Sequence, residues 1–137
     1  MESQGTNDVM RLRVEANMRE NPPRVRPSDP ISVVIEKMLG EDIGAIIVIE
    51  RDETPVGIIT EKDLIERVVE PNRDIDVTVA QEVMSKPIVT IESDETVAEA
   101  LRVMHEKNIR RLAVTSEDVF VGIITERRLL EALFREI

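Results

Sequence analysis

The residues best placed to do chemistry are a threonine followed three positions later by a charged side chain, a pattern that occurs twice. Thr60-x-x-Asp63 and Thr125-x-x-Arg128 each follow an apolar run, Gly57-Ile58-Ile59 and Gly122-Ile123-Ile124, so that a strand hands over to a helix at the threonine. Free backbone N–H groups and the positive end of the helix dipole meet at such a start, which suits a phosphate or another anionic group. A carboxylate in the same place can accept two hydrogen bonds from a vicinal diol such as a ribose. The same spacing is equally that of a helix capping box, and by spacing alone both readings stand. The second copy adds a test. A guanidinium at the positive end of a helix costs about 0.3–1 kcal/mol unless an anion offsets it, so a helix built only for stability would avoid Arg128 there. Arg110 and Arg111 lead into the preceding strand of that copy, where the first copy has Gly44 and Ala45. They supply further positive charge or pair with neighbouring acids.

Other constellations do not assemble. His105 is the one histidine and cysteine is absent, which removes thiolate metal sites, thiol nucleophiles, disulfides and histidine-based triads. The acidic clusters Glu50-Asp52-Glu53, Glu92-Asp94-Glu95 and Glu117-Asp118 read as solvated turns that hold Mg²⁺ weakly at best. Met10, Met18, Met38, Met84 and Met104 are expected as aliphatic core fillers.

The elements that must position these groups come as one unit written twice. Gly57-Ile58-Ile59-Thr60-Glu61-Lys62-Asp63-Leu64 recurs 65 positions on as Gly122-Ile123-Ile124-Thr125-Glu126-Arg127-Arg128-Leu129. Upstream, Met18 matches Met84, Val25 matches Ile91 and Ser28-Asp29 matches Ser93-Asp94. Each copy predicts a short extended piece (around Val25; Val89–Ile91) and then a helix (Ile31–Leu39; Thr96–Glu106). An antiparallel pair of strands follows (Ala45–Glu50 with Val56–Thr60; Arg111–Thr115 with Phe120–Thr125), and a closing helix ends the copy (Glu61–Val69; Glu126–Phe134). Ser28 or Asp29 is expected to cap the first helix and Asp94 its twin, while Thr78 and Gln81 have capping-box spacing for a short helix before Met84. Asp8–Met18 is expected to supply the matching helix of the first copy. The fold class is therefore α+β: two β-α-β-β-α repeats packed as a pseudo-twofold pair. Residues 1–8 form a disordered tail, 9–71 the first repeat, 72–76 a linker and 77–137 the second repeat.

Composition narrows the function classes. In 137 residues there are 28 acidic against 18 basic side chains, a formal charge of −10, so nonspecific binding to nucleic acid or an anionic membrane is disfavoured. With no Trp, no Tyr and two Phe, aromatic platforms for base stacking are excluded. No apolar run approaches the ~20 residues that cross a bilayer, and the start lacks a signal-peptide pattern, so the expectation is a cytoplasmic protein.

The doubled G-I-I-T-E-K-D-L motif, in repeats of this length and order, resembles the signature of the CBS domain, the regulatory module named after cystathionine beta-synthase, which occurs as tandem pairs. The resemblance covers about Val9 to Ile137 and implies two repeats packed sheet to sheet, with clefts between them that hold adenine nucleotides or S-adenosyl compounds, and pairs that dimerise into a disc. It further implies that Asp63 grips the ribose and that Thr60 lies close to ribose and phosphate. Ile58, with the Met18 and Pro23 region, would line the adenine pocket. Arg128 departs from the pattern and would serve phosphates, with Arg110 as a second cation. The resulting expectation is a stand-alone, non-catalytic sensor that binds AMP, ADP or ATP, requires no cofactor, forms a homodimer and signals to a regulated protein by changing shape. The alternatives are a binder of S-adenosylmethionine or another adenosyl ligand, and a ligand-free dimerisation module.

Overall fold

The computed structural model describes residues 5–41 and 43–136. In chain order it contains α1 (Gly5–Arg11), a 3₁₀ turn (Val14–Ala16), β1 (Arg19–Glu20), β2 (Arg24–Val25), α2 (Ile31–Leu39), β3 (Ala45–Ile49) and β4 (Pro55–Thr60). Then come α3 (Glu61–Leu64), a π-helical turn (Ile65–Val69), α4 (Ala80–Val83), β5 (Thr90–Glu92), α5 (Val97–Lys107), β6 (Arg111–Ser116), β7 (Val119–Thr125) and α6 (Glu126–Glu136).

Packing divides the chain into two compact units, Pro23–Ile88 and the segment through Pro22 joined with Val89 onward. The sequence repeat and the packed unit are thus different partitions. Asp8–Met18 matches the first repeat in sequence, yet it packs with the second.

In the central unit, Pro23–Ile88, β2 runs parallel to β3 and β3 antiparallel to β4. Every residue of β3 is buried, as its unbroken apolar run requires. Val25, Ile31, Val34, Met38, Ile46, Val48, Ile59, Leu64 and Val68 form the core with Ala80 and Val83 of α4. The segment after α4 closes the free edge of β4: Ile58 N–H donates to Ser85 O at 3.1 Å and Ser85 N–H to Ile58 O at 2.8 Å. Met84 lies across Gly57, where an added Cβ would collide with its sulfur.

The terminal unit repeats this plan with one more regular strand, in the order β1-β7-β6-β5. β5 runs parallel to β6, and β6 and β1 run antiparallel to β7. Its core contains Val9, Val14, Ile91, Val97, Ala100, Met104, Leu112, Val114, Ile124 and Leu129. Here Met18 lies over Gly122 as Met84 lies over Gly57. Both hairpins carry a register shift at the same place, between Val48 and Ile49 and between Val114 and Thr115.

Several local expectations are corrected. The disordered tail of residues 1–8 is not what the chain forms from Gly5 on, since Gly5–Arg11 is α1; residues 1–4 lie outside the described residues. Val9, 6% exposed, docks α1 on the terminal core and supplies the tertiary support that a seven-residue helix lacks by itself. The helix expected over Asp8–Met18 breaks at Arg11 into a 3₁₀ turn and β1.

Asp29 does not cap α2: its Oδ2 accepts from Arg26 N–H at 2.8 Å, and Pro30 takes the cap position with extended backbone. Thr96, adjacent to the first turn, caps α5 in place of Asp94, its hydroxyl accepting from Glu99 N–H at 3.2 Å. The capping pair at α4 shifts by one residue, with Glu82 Oε1 accepting from Val79 N–H at 2.9 Å. The closing helix of the first copy widens into a π turn, where Glu70 N–H reaches back to Ile65 O at 2.9 Å. That turn buries Val68 and leaves Ile65 and Val69 exposed. Met10 is no core filler, being 39% exposed.

Candidate functional site

In the central unit the strand-to-helix turn is a reciprocal capping box. Thr60 Oγ1 accepts from Asp63 N–H at 3.2 Å, and Asp63 Oδ2 accepts from Thr60 N–H at 2.9 Å. The Asp63 side chain is 12% exposed. Its second oxygen, Oδ1, has longer contacts, accepting from the Ser85 hydroxyl at 3.4 Å and lying 3.7 Å from the Arg67 guanidinium. Arg67 also donates to Val83 O at 2.7 Å. Ile58 is tied to this group through its backbone pairing with Ser85, whose hydroxyl meets the carboxylate. Pro23 is half-buried immediately before β2.

Ser85 and Arg67 are the residues that motif reading alone missed. Arg67 stands four residues after Asp63, the spacing at which opposite charges meet along a helix, so that signal was present. Ser85 follows Met84, whose match to Met18 marked the segment without marking the hydroxyl.

The other predicted residues belong to the terminal unit. Thr125 Oγ1 accepts from Arg128 N–H at 3.1 Å, so the threonine cap is kept. Arg128, unable to return the hydrogen bond as a carboxylate does, donates from Nε to Asn17 O at 3.2 Å. Asn17 is buried at 5% exposure; its Nδ2 donates to Arg13 O at 3.1 Å and its Oδ1 accepts from Arg135 at 3.5 Å. Met18 follows it in sequence and packs on the terminal core. Arg110 is 83% exposed, with its Nε 3.9 Å from Glu126, the ion-pair reading of that residue. Its carbonyl accepts from Glu126 N–H at 3.1 Å, as the carbonyl of Gly44 does from Glu61 N–H.

The structure therefore joins Thr60, Asp63 and Ile58 in one network and sets Arg128 and Met18 around Asn17 in another. Chemically, both networks are built to hold hydrogen-bonding groups: a carboxylate and a hydroxyl in the first, guanidinium groups in the second. Hollows among the described residues lie elsewhere. One of about 410 Å³ is bounded by Val9, Met10, Leu101, Leu129, Leu130 and Leu133 along with Glu126, and one of about 590 Å³ by Pro55, Val56, Lys86, Pro87 and Ile88. The acidic cluster at Glu92 is structural: its carboxylate accepts from the Thr115 hydroxyl at 2.7 Å and from Glu117 N–H at 3.3 Å. Among the described residues no helix is long and apolar enough to cross a membrane.

Comparison with known proteins agrees with this repeated architecture. The CBS domain family model matches twice, over residues 9–70 and 79–135. An uncharacterized protein of Methanopyrus kandleri is 34% identical over 106 residues, 77% of this chain and 54% of its own. An uncharacterized conserved protein from Pyrococcus horikoshii superposes with a TM-score of 0.79 at 30% identity, covering 90% of this chain and 92% of its own. A hexameric CBS-CP12 protein from bloom-forming cyanobacteria superposes with a TM-score of 0.76 at 27% identity, covering 87% and 69%. The chain spans about half the length of the Methanopyrus relative. CBS-pair proteins are typically regulatory modules, generally without catalysis of their own. With two matched repeats, the doubled Gly-Ile-Ile-Thr turns and the paired sheet plans, the chain belongs to the CBS domain family.

Proposed function

We propose that the protein is a non-catalytic regulatory module that binds an adenine nucleotide (AMP, ADP or ATP), with Asp63 as the acceptor for the two ribose hydroxyls and Thr60 beside them. The observation that carries this reading is the state of the Asp63 carboxylate. One oxygen is fixed by a backbone N–H at 2.9 Å, while the other is engaged only at 3.4 and 3.7 Å and keeps acceptor capacity for a diol. Ile58 and Pro23 of the same unit are the adenine-side candidates, with Met18 assigned to that role by the resemblance. Arg128 and Arg110 are the phosphate candidates. The signal is a ligand-dependent shift in the population of conformations, read by a regulated protein. S-adenosylmethionine offers the same ribose, and the choice among adenosyl ligands rests on the phosphate-directed cations.

The test is a thermal-unfolding screen with adenosine, AMP, ADP, ATP and S-adenosylmethionine. A ligand at about 100 times its dissociation constant adds roughly 2.7 kcal/mol. A rise in Tm with the adenine nucleotides supports the reading, and no rise with any of the five ligands removes it.

A second reading, assembly through apolar helix faces, is favoured by the exposure of Leu130 (67%) and Phe134 (76%) on α6 and of Leu39 (79%) on α2. A homodimer is the assembly proposed, which light scattering after size exclusion would show as twice the 15.5 kDa chain mass.

A further inference from the structure

Resting on the reading of Asp63 as a ribose acceptor, we propose that Arg67 is a positioning residue that ties the Asp63 carboxylate to the end of α4, so that a diol engaging Asp63 loosens that end. Arg67 reaches in two directions. One guanidinium nitrogen stands 3.7 Å from Asp63 Oδ1 and another donates to Val83 O at 2.7 Å. Val83 is the last residue of α4 and fully buried, and its carbonyl belongs to a helix end with no further turn to satisfy it. Two residues on, Ser85 both pairs with the β4 edge through its backbone and donates its hydroxyl to the same Asp63 Oδ1. The carboxylate oxygen assigned to the diol is thus the one that holds α4 and its exit segment, through Arg67 and through Ser85.

A diol donating to Oδ1 competes with both groups. Their contacts at 3.4 and 3.7 Å are long for hydrogen bonds and displaceable, whereas the 2.9 Å bond from Thr60 N–H keeps the carboxylate in place. The π turn belongs to the same device, since it carries Arg67 and buries Val68 beside it. The terminal unit lacks the device: Arg128 stands at the Asp63 position and Ala132 at the Arg67 position, and α6 is regular throughout. α4 opens the second sequence repeat yet packs in the central unit, so loosening its end is a route by which occupancy alters the chain that leaves this unit.

The experiment compares the wild-type chain, Arg67→Ala and Arg67→Lys by hydrogen exchange at the Met84 and Ser85 amides and by calorimetric titration with adenosine. Both amides are hydrogen-bonded, to Ala80 O at 3.0 Å and Ile58 O at 2.8 Å, so their exchange reports opening of this segment. Arg67→Ala should speed their exchange about two- to fivefold without ligand and bind adenosine about two- to fivefold tighter, the range set by a partly exposed ion pair. Tighter binding is opposite in sign to what general damage would do. Arg67→Lys keeps a charge near Asp63 but cannot span to Val83 O, so its adenosine affinity should stay near wild type while its exchange approaches that of Arg67→Ala. Saturating adenosine should speed exchange in the wild type and do so by a smaller factor in Arg67→Ala, where only the Ser85 contact is left to displace.

Unchanged exchange in Arg67→Ala, or adenosine binding that is weaker or equal in that variant, overturns the proposal. If no variant binds adenosine, the ribose reading fails instead, and the ligand-free exchange comparison by itself upholds or overturns the tie.

Discussion

The two strand-to-helix turns share a threonine and differ in what stands three residues later. In both, the threonine hydroxyl accepts from the backbone N–H of that residue, at 3.2 Å in the central unit and 3.1 Å in the terminal one. The cap is therefore the common scaffold and the third residue the variable part. Asp63 turns inward, closes the capping box and meets Arg67 and Ser85. Arg128 turns to the buried Asn17 segment, and the helix behind it stays regular. One backbone device thus presents an acceptor in one unit and a donor in the other, which a structural cap alone does not require.

The largest expected effect separates the twin glycines. A Cβ at Gly122 would stand 2.7 Å from the carbonyl oxygen of Arg19 and 2.6 Å from the Met18 sulfur, whereas the three atoms nearest to one at Gly57 all belong to the Met84 side chain, which can rearrange. Urea unfolding should show Gly122→Ala losing about 3 kcal/mol and Gly57→Ala about 1 kcal/mol. Equal losses would mean that the two edge segments are held alike.

Next comes Arg128. Calorimetry on Arg128→Ala should show ATP and AMP weakened by about 2 kcal/mol with adenosine unaffected, as expected for a charged donor to phosphate. A uniform loss across all three would break the contrast between acceptor and donor turns.

Removing the shared part should have similar consequences in both units. Thr60→Ala and Thr125→Ala are each expected to cost about 1 kcal/mol of stability, the usual worth of a cap. A much larger loss in one unit would show that its hydroxyl does more than cap.

The smallest effect concerns α4. The Val79 N–H, with Arg73 at 3.0 Å, holds the Glu82 carboxyl below its usual value of 4.5. A carboxyl lowered on folding stabilises above that usual value, and the contribution is lost as the pH falls through the folded one. Glu82→Gln should therefore flatten the acid side of the stability curve and leave stability near pH 4 less dependent on pH. An acid limb identical to wild type would remove Glu82 from the cap.

Much of this was legible in the sequence. The hairpins follow from the continuous apolar runs at Ala45–Ile49 and Val121–Ile124, and the repeat follows from the doubled octapeptide. Thr60 and Asp63 were found as a pair because their spacing is the geometry of a helix start. The caps of α2, α4 and α5 went astray because several short polar residues crowd each helix start, and only backbone geometry selects among them. The π turn has no spacing signature, since Ile65, Val68 and Val69 fit a regular helix as well. The packed partition was hidden for a different reason. Self-similarity says which residues are equivalent, whereas a close approach of Met84 to Gly57 and of Met18 to Gly122 decides which segments pack together. Those contacts become visible only once the strands are paired.

The most direct measurement is a calorimetric titration of adenosine, which has a ribose and no phosphate, into the wild-type chain and Asp63→Ala. Binding to the wild type that weakens by about 1.5–3 kcal/mol in the variant is the expected result. Equal affinity in the two proteins would show that Asp63 does not hold the sugar and would leave it a helix cap alone.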